Sequence, residues 1–206
     1  MKNTFVTTLL LTATLSACSN FEAVDHNNPD ASTSYSVEES SDYAMFDTSN
    51  GYDVELREDA LVMDLEGFDV SVYEVDSREQ VEANPNWVGY DSKYSLERIK
   101  DLDVESELWY ELSNERDLSV GYVGSAPSNM LQMSEEVGHQ VVGFQTSEGV
   151  MYESEVIKGI IQAMEKEMDY LYLPLEVTTL SDLTLKAVDY AKEDGVRVFD
   201  RIGKQL

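Results

Sequence analysis

The chain has 206 residues, of which 41 are acidic and 14 are lysine or arginine, so its formal net charge is −27. A field of this sign repels phosphate backbones and anionic lipid headgroups. We therefore expect no nucleic acid partner and no electrostatic attachment to a membrane surface.

The first segment of the chain has the pattern of a secretory signal. Lys2 provides a positive start, residues 4–15 are mostly apolar, and small residues precede the single cysteine, Cys18. Such a segment is too short to span a bilayer as a permanent helix. We predict a signal peptide over residues 1–17.

The residues Leu15-Ser16-Ala17-Cys18 resemble the lipobox of bacterial lipoproteins. The resemblance implies that Cys18 becomes the mature N-terminus, receives a diacylglyceryl group and is acylated again, which gives the several acyl chains that stable anchoring requires. Ser19, in place of aspartate, implies sorting to the outer membrane. Modification of Cys18 would also leave no thiol for a disulfide, a catalytic cysteine or a metal site. The alternative is a buried cysteine in an ordinary N-terminal helix.

The segment that follows is acidic and polar. Residues 19–52 contain seven acids, seven serines and no lysine or arginine. Such a composition buries too little apolar surface to offset the entropy of ordering, so we predict that residues 18–52 are the acylated cysteine and a disordered tether. The alternative is a segment that folds on a partner through Tyr43, Met45 and Phe46.

Residues 53–206 have the size of a single domain with its own core. Alternating apolar residues and turn signals predict strands at 54–56, 60–65, 68–75, 118–123, 140–144, 171–177 and 196–199. Between them, the stretch 96–102 has helical spacing and 101–108 alternates as a strand with one wet face. Pro174 would place the strand at 171–177 on a sheet edge.

Two amphipathic helices are predicted in the C-terminal third. The first covers 156–168 with Ser154 as its N-cap, and the second runs from Ser181 and Asp182 to Ala191, with Gly195 at its end. Strands between and after these helices permit crossover connections. We predict an α+β fold, a mainly antiparallel sheet with the two C-terminal helices packed on one face.

No catalytic motif is visible in the domain. His139 lacks metal-ligand spacing and is expected at a surface or strand edge, and Ser125 or Ser128 could join it only in a serine hydrolase without the usual motif. Gly121 and Gly124 follow a strand, but the spacing of a phosphate-binding loop is missing and no helical pattern follows. We expect no enzymatic activity, no catalytic residue and no cofactor.

The acids near Gly67 are weak candidates for calcium. Asp64, Glu66 and Asp69 offer oxygen ligands, but the twelve-position EF-hand pattern is not met. The alternative interpretation is a solvated turn. We predict no metal site other than these weak calcium candidates.

Aromatic residues mark the stretch after Pro85. Trp87, Tyr90 and Tyr94 combine large contact area with a polar tip, as side chains at protein interfaces do, so they are candidates for binding a partner. The alternative is that Trp87 folds back onto the core.

These patterns favour a lipid-anchored envelope lipoprotein that is not an enzyme and that binds another protein as an accessory or assembly factor. The net charge supports an alternative, an immunity-type inhibitor of a basic toxin or hydrolase, whose capture would depend on salt. A third hypothesis is an envelope hydrolase that uses scattered carboxylates. The acidity itself has two interpretations, a solvated surface or a complement to a basic partner or cations.

Overall fold

The computed structural model describes residues 37–49, 60–65, 67–76, 78–95, 99–144, 146 and 150–206. These residues belong to a unit that spans Ser34–Leu206, and the other unit, Met1–Thr33, holds no described residue. The predicted signal peptide, Cys18 and the strand predicted at 54–56 therefore lie outside the described residues.

The described strands and helices alternate irregularly along the chain. The strands are β1 (Val37–Asp47), β2 (Leu61–Leu65), β3 (Val70–Glu74), β4 (Trp87–Ser95), β5 (Ser119–Val123), β6 (Gln140–Phe144), β7 (Val150–Tyr152), β8 (Tyr170–Tyr172) and β9 (Arg197–Phe199). The helices are α1 (Arg78–Glu82), α2 (Glu107–Asn114), α3 (Ser128–Val137), α4 (Glu153–Glu165) and α5 (Asp182–Glu193), with a 3₁₀ turn at Val177–Thr179. The α+β class and the two C-terminal helices are confirmed.

The first sheet is antiparallel and has the order β2-β3-β1-β4-β7. Its central strand, β1, lies inside the segment predicted as a tether, so the folded domain begins earlier than residue 53. The physical reason is the short apolar run at Ala44, Met45 and Phe46, each of which is at most 3% exposed. Tyr43 and this run are therefore part of the domain's own fold.

The two faces of the first sheet build two different cores. On one face, Met45, Val70 and Val72 join the main core with α4 and α5. On the other face, Ala44 and Phe46 form a satellite cluster. This separation follows from the period of two along a strand, which sends successive side chains to opposite faces.

The second sheet is parallel and has the order β6-β5-β8-β9. This parallel sheet was not expected, because the sequence predicts a single, mainly antiparallel sheet. Leu171 and Val198 face the main core, whereas Tyr170 and Phe199 face a second cluster with α2 and α3. Helices therefore pack on both faces of this sheet, as is usual for parallel strands.

Three local predictions in this region are wrong. The segment 101–108 contains the start of α2 instead of a strand, since Ser106 accepts a hydrogen bond from Trp109 N and Leu108 and Leu112 lie buried one turn apart. β8 is an interior strand, because it ends at Tyr172, before the proline. The helix α3 follows Gly124 after three residues, although no helical pattern was identified there.

The described helices are short. Within the ranges given above, no helix combines the length and the apolar character needed to cross a membrane.

Candidate functional site

The N-terminal end of α4 holds a buried aspartate from the first sheet. Asp91 lies on β4 and is 2% exposed. Its Oδ1 accepts a hydrogen bond from the backbone N of Ser154 at 2.9 Å, and its Oδ2 accepts one from Ser154 Oγ at 2.6 Å. Ser154 is thus the second residue of α4 and not its N-cap, which is Tyr152. Asp91 stabilises the positive end of the helix dipole.

The N-terminal end of α5 receives the neighbouring carboxylate, Glu153. Its Oε1 accepts hydrogen bonds from the hydroxyls of Ser181 and, at 3.0 Å, Thr184. Ser181 is the N-cap of α5, as predicted, and its Oγ also accepts the backbone N–H of Thr184 at 3.1 Å. We name Asp91, Glu153, Ser154, Ser181 and Thr184 the carboxylate junction, because together they connect β4, α4 and α5.

Burial dominates the electrostatics of the carboxylate junction. It raises the pKa of Asp91 to about 6, partly opposed by the two hydrogen bonds from Ser154 and reinforced by the nearby charges of Glu153 and Glu155. Burial likewise raises the pKa of Glu153. Within the described part of the chain, neither Asp91 nor Glu153 forms an ion pair with a lysine or arginine.

The parallel sheet has a topological switch point between β5 and β8. In open parallel sheets, ligands bind outside the carboxyl ends of such strands. Here the first sheet covers this place. At the end of β5, a Cβ on Gly124 would lie 3.6 Å from Met151 Sδ of β7, and after β8, Tyr94 OH of β4 donates to Thr179 O. Residues of the first sheet therefore lie against this end of the parallel sheet.

The opposite ends of α4 and α5 line an open cavity of about 500 Å³. Because both helices lead into neighbouring parallel strands, their C-terminal ends lie at the same edge of the sheet. The lining residues are Met164, Glu165, Tyr190, Glu193 and Asp194. We name these five residues the C-terminal cavity.

Tyr190 supplies the aromatic wall of the C-terminal cavity. Its side chain is 39% exposed, and its ring packs against Phe68 with the centroids 5.2 Å apart. Lys186 Nζ lies 5.5 Å from the ring centroid. The ring thus has a firm support and already attracts a cation from its own chain.

The carboxylates of the C-terminal cavity lie at the unfavourable ends of their helices. Glu165 and Glu193 are the last residues of α4 and α5, where the helix dipole is negative. The last turn of α4 contains no basic residue, and Lys192 in the last turn of α5 binds Asp189 at 3.0 Å. Lys166, the exposed C-cap of α4, only partly offsets this charge.

The structure places Tyr94 in a different cluster from the other two candidate binding residues, Trp87 and Tyr90. Tyr94 is 1% exposed and belongs to the main core, and Tyr90 is 7% exposed and packs in the satellite cluster. Trp87 is half-buried and packs against the same cluster, with its ring 5.3 Å from that of Tyr90. Tyr90 and Tyr94 are therefore not surface anchors, and the packing of Trp87 matches the alternative in which it covers the core.

Two of the three acids near Gly67, Asp64 and Asp69, are among the described residues. Asp64 on β2 accepts a hydrogen bond from Ser71 Oγ at 3.0 Å, and Asp69 adopts a positive φ of 53° before β3. Glu66 lies outside the described residues. Among the residues that the structure describes, no group of three or more histidine, cysteine or acidic side chains is placed to hold a metal ion.

His139 is buried, at 8% exposure, so it does not lie at the surface, but it directly precedes the edge strand β6, which agrees with the strand-edge part of the prediction. Its Nδ1 accepts a hydrogen bond from Leu118 N, so its Nε2 carries the proton and donates to Leu112 O. Both ring nitrogens are thus committed to the backbone, and His139 cannot act as a base for Ser125 or Ser128. Both serines are exposed at the start of α3.

The comparisons with known proteins add no assignment to this geometry. No protein-family model matches the chain, and no curated protein matches it.

The sequence interpretation missed the residues that matter most in the structure. Nothing in the local pattern around Asp91 distinguishes it from the other acids, since its partner Ser154 is 63 residues away. Tyr190 and Met164 both lie on amphipathic helices, Tyr190 at 39% exposure and Met164 partly buried against the main core. However, their proximity depends on the parallel arrangement of α4 and α5.

Proposed function

We propose that this protein is a lipid-anchored envelope protein that is not an enzyme and that binds a basic segment of another protein in the C-terminal cavity. The observation that carries the proposal is the cavity's composition, an exposed aromatic ring and a methionine surrounded by three carboxylates at two helix C-termini. A lysine or arginine side chain fits this chemistry. Its stem packs on Tyr190 and Met164, and its charge pairs with a carboxylate.

The position of the carboxylates supports a ligand of positive charge. At helix C-termini, acidic side chains reduce stability, whereas a cation in the same place interacts favourably with the dipole. A basic partner would therefore relieve a repulsion that the isolated domain maintains. The net charge of −27 would also steer such a partner toward the protein.

The anchor part of the proposal depends on Cys18 and on its resemblance to a lipobox. The test is the replacement Cys18→Ser, which should release the protein from the membrane fraction and remove an acyl-modified N-terminal peptide from the mass spectrum. Retention in the membrane, or an unmodified Cys18 in the original chain, would contradict the anchor. This result is independent of the binding proposal.

The binding part is tested by crosslinking in the native envelope. The lipidated protein is purified after mild crosslinking, and the captured proteins are quantified for the original chain and for Tyr190→Ala. We expect one near-stoichiometric partner with a basic contact segment, lost in Tyr190→Ala. The matched control is Tyr110→Ala, because Tyr110 is 64% exposed on α2 and lies outside the cavity. Equal capture by Tyr190→Ala and Tyr110→Ala would overturn the proposed site.

The immunity-type inhibitor is the more specific form of this function that the charge favours. In that case the partner is a basic toxin or hydrolase, and its association rate falls steeply between low and physiological salt. Association that does not change with salt would contradict the inhibitor while leaving an accessory role open.

A further inference from the structure

We propose that the carboxylate junction is a pH-responsive device that holds the first sheet, α4 and α5 together more tightly in mildly acidic conditions than above neutrality. This inference does not depend on the proposed binding function, because it concerns the opposite ends of the helices. It stands on the contacts that connect the three elements.

The geometry places two like charges in one buried site. Asp91 and Glu153 are each 2% exposed, and they come from two different elements, Asp91 from β4 and Glu153 from α4. Each carboxylate accepts hydrogen bonds from the N-terminal region of a helix. Loss of either set would detach a helix N-terminus from its partner element.

The surroundings offer no compensating cation among the described residues. The charged or titratable groups that face Asp91 are Glu153 and Glu155 of α4 and Tyr94 of β4. The element α5 contributes only the hydroxyls of Ser181 and Thr184. Ionisation of both carboxylates therefore concentrates negative charge with nothing but dipoles to balance it.

The direction of the pH effect follows from the position of Asp91. Its pKa is raised from an ordinary value of 3.8 to about 6, so the folded state binds more protons than the unfolded state between these values. Stability then decreases as the pH rises through this range and is lowest above it. Glu153, whose pKa is also raised, acts in the same direction.

The test compares stability at pH 5 and pH 7.5 for the original chain and Asp91→Asn. From the shift of Asp91 alone, the folding equilibrium constant of the original chain should fall roughly tenfold between these pH values. Asparagine cannot ionise, and it keeps an acceptor for Ser154 N, so Asp91→Asn should lose this component. The control is Asp189→Asn on α5, because the Asp189 side chain is 68% exposed. This substitution removes one negative charge, as Asp91→Asn does, and so controls for the repulsion among the many acids of the chain.

The same change of stability with pH in the original chain, Asp91→Asn and Asp189→Asn would overturn the proposal. Glu153→Gln is the second variant, which keeps the proposal testable if Asp91→Asn does not fold. Its stability should depend less on pH than the stability of the original chain does. Hydrogen exchange gives a local reading, in which protection of the Ser154 and Thr184 amides decreases with pH in the original chain, after correction for the intrinsic rate. Unchanged protection of these two amides across the range would also contradict the device.

Discussion

The two ends of α4 and α5 use the same chemical group in opposite ways. At the N-terminal ends, Asp91 and Glu153 are buried, and hydrogen bonds from the two helices satisfy them. At the C-terminal ends, Glu165 and Glu193 are exposed around a cavity, and the helix dipole opposes their charge. The first arrangement connects the fold, and the second reduces stability in a place that a basic ligand can use.

The comparison also indicates why the large number of acids does not by itself show which carboxylates are structural and which could bind a partner. A carboxylate has a structural role where N–H and O–H donors converge on it, as they do on Asp91. Where no donors converge, the charge remains available to a partner. Geometry and not composition therefore distinguishes the two sets.

The largest expected effect is the loss of Asp91. The variant Asp91→Ala leaves two buried donors of Ser154 without a partner, so the free energy of unfolding at pH 5 should fall by about 2–4 kcal/mol. Urea denaturation measures this value. Asp91→Asn should lose much less, and equal losses in both variants would contradict the importance of the hydrogen bonds.

A smaller loss is expected where α4 crosses β5. A Cβ on Gly159 would lie 2.7 Å from Val123 Cγ2, a contact that the stiff valine side chain cannot relieve without a shift. Gly159→Ala should cost about 1–2 kcal/mol in urea denaturation, because the overpacking exceeds the gain in helix propensity.

The control for Gly159 is Gly89→Ala on β4, where a Cβ meets nothing within 4 Å. This change should stay within about 0.5 kcal/mol. If Gly159→Ala is as stable as the original chain, the close approach of α4 to β5 in the structure is contradicted.

The smallest effect tests the dipole comparison directly on α5. Glu193→Gln should raise the free energy of unfolding by about 0.3–1 kcal/mol, since it removes a negative charge from the negative end of the helix. The matched control is Asp182→Asn in the first turn of the same helix, which should lower stability by a similar amount. Both effects should shrink in high salt. Changes of the same sign in the two variants would contradict the comparison.

The sequence predicted the two helices of the C-terminal third. The Ser181 cap, the amphipathic pattern of α5 and Gly195 at its end are local signals, and Gly195 has the expected positive φ of 99°. The strands β2 and β3 were also predicted, and for β3 the signal is the alternation of Phe68, Val70 and Val72 with polar residues. These elements are fixed by residues close together in the sequence.

The remaining elements depend on contacts between distant residues. β1 is surrounded by acids, and only its pairing with β3 and β4 buries the apolar run at residues 44–46. α2 was obscured because acids at alternate positions have the period of a strand, whereas burial of Leu108 and Leu112 requires the second sheet. The parallel order of that sheet has no local signal, and the prediction of an edge strand depends on Pro174, which lies beyond the end of β8.

The candidate sites show the same division. Trp87, Tyr90 and Tyr94 were selected by residue type, and their burial became evident only from the packing of the first sheet. The carboxylate junction and the C-terminal cavity each combine residues from separate elements. Neither could be found without knowing how α4 and α5 lie beside each other.

The most direct test of the whole account is one double variant, Glu165→Gln with Glu193→Gln, measured for both stability and partner capture. The account predicts a protein that is more resistant to urea than the original chain and that captures less of its crosslinked partner from the envelope. A double variant that is less stable, or that captures the partner as well as the original chain does, would contradict the assignment of these carboxylates to binding.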